Sequence, residues 1–459
     1  MAGLTGISPL ARSTHTFYAL KRYCFSILLP FVMASSVWIY FQDVMIPYQQ
    51  NQAIREEKPR GNLSDLYPRW LGARELLLRG RNPYSREITR EIQEGYYGRV
   101  LDASRPHDPK DQQAFAYPLY VIWLLAPTVG MPFWIVQRAA LLLLTALTAF
   151  SALVWMKILG WRPSFDQRLA WVLLTVSCLP AVQGLKLQQL TLLVAGLIAV
   201  GVSAISCDRL GLAGIVLGAA TIKPQLVFLL VIWLCIWVIG DWPKRRRLLL
   251  SFAFTMVLLV GGSEVILPGW IREFKAAMVS YYQYTGGGQS LLDVVFTPIG
   301  GRSISFVLLL VLVFNLWKLR RNPAASPEFA FALSFTLATT LLVIPMFAPY
   351  NQVVLLPAVM MLFRATEDKP PKSLLSRFFL FLMKLSVVWS FLASAVLIIA
   401  LPFLRTFVVE KGVGLPFYST LAVPSSVYAA LLIIRKRLIS VETSVPNRDR
   451  ILPHGMASE

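Results

Sequence analysis

Runs of about twenty apolar residues recur from near the start of this chain almost to its end, each long enough to cross roughly 30 Å of hydrocarbon as a helix. Clear runs are 24–41, 133–159, 187–206, 248–267, 304–317, 329–347, 378–401 and 418–434. Lipid offers no water to backbone N–H and C=O groups, so a spanning segment must close its hydrogen bonds internally, and these runs are expected to be helical. Shorter or proline-interrupted pieces (116–129, 169–180, 212–222, 226–239 and 353–363) bring the total to about thirteen apolar segments. With 56% hydrophobic residues, 15% charged residues and a mean hydropathy of +0.59, the chain has too little polar material to clothe a water-facing surface. The reading is an all-α polytopic membrane protein with a single transmembrane domain over residues 24–434. A cytoplasmic segment 1–23 precedes it, and a disordered cytoplasmic tail, 435–459, follows.

The first apolar run follows Arg12, Lys21 and Arg22 and resembles a signal peptide, but it continues to Phe41 without a small-x-small cleavage site, so it reads as a retained anchor. The formal net charge of +20 arises from short basic bursts beside apolar runs, the cytoplasmic positive excess of a membrane protein; no nucleic-acid partner is implied. Cys24, Cys178, Cys207 and Cys235 lie in or beside apolar runs without a CxxC pair, and read as packing residues, not as disulfides or a zinc site.

The basic clusters set orientation. They are Arg12/Lys21/Arg22, 244–247 (KRRR), Lys318/Arg320/Arg321, the stretch 364–377 and 435–437, and all should face the cytoplasm. It follows that 42–114, 268–302 and 402–416 lie outside, the first of them a loop long enough to escape the charge rule. Both termini inside requires an even number of crossings, about 12, so one of the apolar segments does not cross alone. The pieces 212–222 and 226–239 are expected to be a broken pair around Lys223-Pro224, or one piece is re-entrant. No inverted internal repeat of the kind many transporters carry is visible.

Within the first outside loop, Trp70, Leu71, Ala73, Leu76, Leu77 and Leu78 give one apolar face and Arg69, Arg74, Arg79 and Arg81 supply cations, the pattern of a helix lying at the lipid surface. Asp65 at its start either serves as a general base on a hydroxyl acceptor, with arginines steadying a phosphate, or caps the helix beside Ser64. Lys223, directly after a long apolar stretch, either neutralises a lipid-linked phosphate or snorkels to the interface. Gln183, Lys186, Gln188 and Gln189 form a polar knot that suits sugar hydroxyls or a plain turn between helices. Glu264 and Asp293 are candidate second carboxylates or helix caps. The tripled glycine 286–288 has no phosphate-cradle context.

Walker A, HExxH and GxSxG sequences are missing, and His15, His107 and His454 are scattered, so ATPase, zinc-protease and serine-hydrolase chemistry lose support. What remains fits a reaction run by carboxylate and cations, with no metal or other cofactor demanded.

An ordered series of motifs is similar to glycosyltransferase family 87, polyprenyl-phosphate-sugar-dependent enzymes of the GT-C fold that include bacterial mannosyl- and arabinofuranosyltransferases. The series runs from S-D-L-Y-P-R-W-L-G-A-R-E-L-L-L-R-G-R-N-P-Y, ending at Tyr84, through F-A-Y-P-L with Tyr117, to the turn at Gln188 and Gln189. It continues through A-G-I-V-L-G-A-A-T-I-K-P at Lys223 and Q-S-L at Gln289 to P-Y-N-Q-V-V-L-L, where Asn351 stands at a position expected to favour Asp. The resemblance covers about residue 25 to 365 and implies a GT-C-type bundle with a large first extracytoplasmic loop carrying amphipathic helices. It also implies inverting transfer of a hexose, mannose-like, or of arabinofuranose from a polyprenyl-phosphate sugar to a glycan or glycolipid acceptor. The site would face outward from a bacterial-type inner membrane, with Asp65 as base and Lys223, Arg69 and Arg74 on the donor phosphate. Tyr84, Tyr117, Gln188, Gln189, Gln289 and Asn351 would bind sugar or acceptor.

Two rivals differ in class. A transporter or flippase of a lipid-linked substrate would line a path across the midplane with polar groups, and a structural envelope subunit would leave Asp65 free to vary.

Overall fold

A computed structural model describes residues 27–284, 288–345, 347–367, 371–403 and 411–440. The expected cytoplasmic segment 1–23, Cys24, Gly286, Gly287, part of the connection 402–416 and the tail beyond residue 440 lie outside the described residues.

The described residues form helices joined by turns and irregular segments, with no strand. Among the described residues, six helices are long and apolar enough to cross a membrane: Ile27–Arg55, Phe133–Ile158, Trp242–Ile266, Pro298–Leu319, Leu374–Ala400 and Leu415–Ile433. Phe165–Ser177 and Leu179–Lys186, bent by 53°, make a seventh if taken as one span. The bend follows from extended backbone at Cys178 and from Pro180, which cannot donate into a continuing helix. Four shorter apolar helices, Leu190–Ser206, Leu210–Ala220, Pro224–Ile239 and Pro327–Val343, take up the remaining long runs. The chain does break at Lys223, between the second and third of these, as the position of Pro224 leads one to expect.

Burial sorts the helices into an interior and a rim. Pro327–Val343 is buried on every side, Ser334, Thr336, Thr339 and Thr340 included. Thr336, Thr339 and Thr340 return their hydroxyl protons to carbonyls of the preceding turn, which makes an all-round buried helix tolerable. Trp242–Ile266 and Pro298–Leu319 sit outside and turn Leu250, Phe254, Val257, Leu258, Phe306, Leu310 and Phe314 outward. Each such side chain left in water costs about 1.5–3 kcal/mol, so this rim belongs in hydrocarbon.

The stretch from residue 42, expected as loop, is still helical to Arg55, through a π-helical segment at Tyr40–Met45. Beyond it lie the helices Tyr67–Arg79 and Arg86–Tyr97. The second is amphipathic and folds inward on Ile88, Ile92, Tyr96 and Tyr97. Ser85 caps its start and Gly98, at φ 81°, ends it in the left-handed region open to glycine.

Tyr67–Arg79 corrects the expectation of a helix lying on lipid. Its apolar face is closed by protein: Trp70, Leu71, Ala73 and Leu76 are all buried, and only Leu78 of that face is exposed. Gly72 is the cause, because the Phe115 ring fills the space a Cβ would need. Trp70 also packs against Phe133, with ring centroids 5.2 Å apart and planes tilted by 46°. The helix therefore plugs one end of the bundle and holds Asp65 against it.

Candidate functional site

Asp65 is held by backbone before its side chain does anything. Gly61 donates its N–H to the Tyr96 carbonyl at 3.1 Å and Asn62 donates to the Gly95 carbonyl at 3.2 Å, tying this segment to the end of the Arg86–Tyr97 helix. Asp65 donates its own N–H to the Leu187 carbonyl at 2.9 Å, in the turn between Leu179–Lys186 and Leu190–Ser206. Two parts of the sequence far apart thus meet at one residue.

The capping alternative for Asp65 is not what the geometry uses, since Leu66 occupies the cap position and no side chain bonds there. The carboxylate instead takes two neutral donors: Gln189 Nε2 on Oδ2 and the Tyr96 hydroxyl on Oδ1 at 3.2 Å. Burial, and then the carboxylate beside it, pushes the Tyr96 phenol far above its ordinary value, so it stays protonated and donates. Neither donor neutralises Asp65, whose oxygens keep lone pairs for an incoming hydroxyl proton.

Gln188 closes the turn that the polar knot suggested, and Gln189 joins Asp65 to Lys223. Gln188 lies in the left-handed region at φ 48° and donates to the Leu185 and Lys186 carbonyls, both at 2.8 Å, closing the helix end; its Oε1 accepts from Gln137 Nε2 at 3.1 Å. Gln189 faces the site. Its Oε1 accepts from Lys223 Nζ at 2.6 Å, and an ammonium can only donate, so the amide's NH₂ must face Asp65.

Lys223 is buried where the chain breaks, and its second proton goes to Thr191 Oγ1 at 2.6 Å. Thr191 in turn donates to Asn351 Oδ1 at 3.0 Å. An unbroken line runs from Tyr96 through Asp65, Gln189, Lys223 and Thr191 to Asn351. An ammonium carries three N–H groups, and the third of Lys223 has no hydrogen-bond partner among the described residues; the Tyr350 ring centre lies 5.1 Å and the Tyr117 ring centre 6.0 Å from Nζ. The sequence places Lys223 either on a phosphate or at the interface by snorkelling; it is buried in this network, not snorkelled.

Arg69 is the second cation. It donates to the Asp65 carbonyl at 2.6 Å, and its guanidinium carbon lies 4.3 Å from the Tyr117 ring centre. Its Nε is buried without a hydrogen-bond partner among the described residues. Tyr84 holds Tyr117 in place, donating its hydroxyl to the Tyr117 carbonyl at 2.7 Å.

Other candidates take their bonds elsewhere. Arg74 lies over the Trp70 ring at 5.3 Å. Glu264 is exposed and accepts from the Gly269 N–H at 2.7 Å, closing the turn after its helix. Asp293 forms a capping box with Ser290, and Gln289 is exposed. Sequence reading missed Tyr96, Thr191 and Tyr350. Tyr350 lies inside a motif already singled out for Asn351, whereas Tyr96 and Thr191 carry no local signal, because their partners are 31 and 160 residues away.

The family model for glycosyltransferase family 87 matches residues 115–345, half of the chain. Tyr117, Gln188, Gln189, Thr191 and Lys223 fall inside the match; Asp65, Arg69 and Asn351 fall outside it. No curated protein and no solved structure matches the chain.

Proposed function

The chain belongs to glycosyltransferase family 87 and is a membrane glycosyltransferase, and we propose that it moves a sugar from a polyprenyl-phosphate donor to a hydroxyl of a lipid or glycan acceptor, with inversion. The sugar is a hexose of mannose type or arabinofuranose. One observation carries this reading: Asp65, a carboxylate that takes only neutral donors among the described residues, sits one amide away from a buried ammonium, Lys223.

Asp65 takes the proton from the acceptor hydroxyl as its oxygen attacks the anomeric carbon. The bond from that carbon to the phosphate oxygen breaks, and its electron pair leaves with the lipid phosphate. Lys223 and Arg69 answer the charge that develops there, and in a site removed from water each such group is worth about 10²–10³ in rate. Gln189, Thr191 and Asn351 orient Lys223. Tyr117 and Tyr350 offer faces for sugar or isoprenoid.

The site is read as facing away from the cytoplasm. The basic stretches 244–247 and 318–321 meet at one end of the bundle, where Arg245 bonds the Arg320, Arg321 and Asn322 carbonyls. The Leu190–Ser206 helix leads from the Asp65 site toward that end, which the positive-inside rule assigns to the cytoplasm; the membrane of this reading is a bacterial-type inner membrane. The even number of crossings, about twelve, is reached if the bent pair, the four shorter helices and 349–367 each cross once.

The test is purified protein in lipid vesicles with a radiolabelled polyprenyl-phosphate sugar and a lipid acceptor extract. The reading expects free polyprenyl phosphate and a new glycosidic bond in equal amounts. Movement of intact donor across the bilayer with no new bond would establish the transporter reading instead.

A further inference from the structure

A second site lies at the other end of the Leu190–Ser206 helix, about 25 Å from Gln189 by the rise of its 17 residues. A cavity of about 320 Å³ opens there between the ends of Phe133–Ile158, Leu190–Ser206 and Leu356–Glu367 and the start of Pro327–Val343. Its lining combines two cations, Lys157 and Arg364, with hydroxyls of Ser203 and Ser206 and an apolar floor that includes Met361 and Leu438; among the described residues no acidic residue lines it. Neither cation is in an ion pair among the described residues. Arg364 donates one N–H to the Leu159 carbonyl, which fixes the guanidinium at the rim and leaves the rest of its fork open. The nearest acid on the same helix, Glu367, accepts from Trp161 Nε1 at 3.2 Å.

Two unopposed cations over hydroxyls and an apolar floor fit a ligand that is anionic at one end and greasy at the other. The cavity also lies at the basic end of the bundle, since Ser326, on its lining, follows closely on the Asn322 carbonyl that Arg245 bonds. We propose that this cavity binds a phosphate group, carried by an anionic phospholipid headgroup or by a free phosphate, as a site separate from the Asp65 centre.

The experiment uses the full-length protein, delipidated and returned to nanodiscs of phosphatidylcholine alone or with phosphatidylglycerol, with bound lipid counted by native mass spectrometry. A parallel arm titrates inorganic phosphate into the phosphatidylcholine sample. The proposal expects one retained anionic lipid, or saturable phosphate binding, weakened about fivefold or more by Lys157→Glu and by Ser203→Phe, which fills the cavity. Retention of lipid identifies a headgroup and phosphate binding identifies a soluble ligand. Lys244→Glu, at the same end but outside the cavity, should leave binding unchanged. Equal loss in Lys244→Glu, which would mean general attraction to a basic surface, overturns the proposal, as does the absence of binding in both arms.

Discussion

Lys223 reaches Asp65 only through Gln189, whose amide accepts from the ammonium at 2.6 Å on one side and donates to the carboxylate on the other. A direct ion pair would spend both charges on each other. The inserted amide keeps the carboxylate and ammonium apart, close enough to work on one substrate and separate enough to play different parts. Three residues from three regions of the chain make one unit.

That unit makes Gln189 a sensitive position. Hydrogen bonds to charged groups are worth about 1.5–3 kcal/mol, so Gln189→Ala is expected to lower transfer by about 10- to 150-fold with the protein still folded. Single-turnover assays on the purified variant, with a thermal melt as control, check this.

Lys223 serves both function and stability. Lys223→Met removes the buried ammonium, keeps a side chain of similar length and leaves the Gln189 and Thr191 oxygens that accepted from it unpaired, at a cost to stability of about 1–3 kcal/mol for each such group. Transfer should fall about 10²–10³-fold in variant protein that still folds, as melts of the same preparation show. Transfer lost only in step with the folded fraction would mean that Lys223 serves only the fold.

Tyr96→Phe deletes one neutral donor to Asp65, a 3.2 Å bond, and leaves packing intact. A hydrogen bond to a charged group is worth about 1.5–3 kcal/mol, and at 3.2 Å this one belongs at the lower end, so the expected loss in kcat is about tenfold. Steady-state kinetics on membranes are sufficient to see it.

Gly72→Ala tests how the first loop docks. The added methyl meets the Phe115 ring, and overpacking of this kind costs about 1–3 kcal/mol. Since Phe115 leads into Tyr117, under Arg69, activity should fall with stability, both readable from melts and assays of the same preparation.

The membrane class of this chain is written locally: an apolar run is visible without knowing its neighbours, and so is a proline that ends a helix. The site is only half so. Asp65, Lys223, Gln189 and Asn351 stand out because each is polar in an apolar or motif-bearing stretch. Their partners do not, since Tyr96 and Thr191 earn their roles from tertiary contacts. The lipid-surface placement of Tyr67–Arg79 failed for a related reason, because an apolar stripe looks the same whether lipid or Phe115 covers it. Likewise Gln188 and Gln189, adjacent and identical in type, diverge because Gln188 takes the left-handed conformation and turns its amide back on the helix end.

The most direct test is Asp65→Asn, which keeps the shape and removes the base. Measured as formation of a glycosidic bond from a polyprenyl-phosphate sugar, the variant is expected to lose about 10²–10⁴-fold in rate while it folds and binds donor as the wild type does. Transfer at wild-type rate by folded Asp65→Asn would contradict the account.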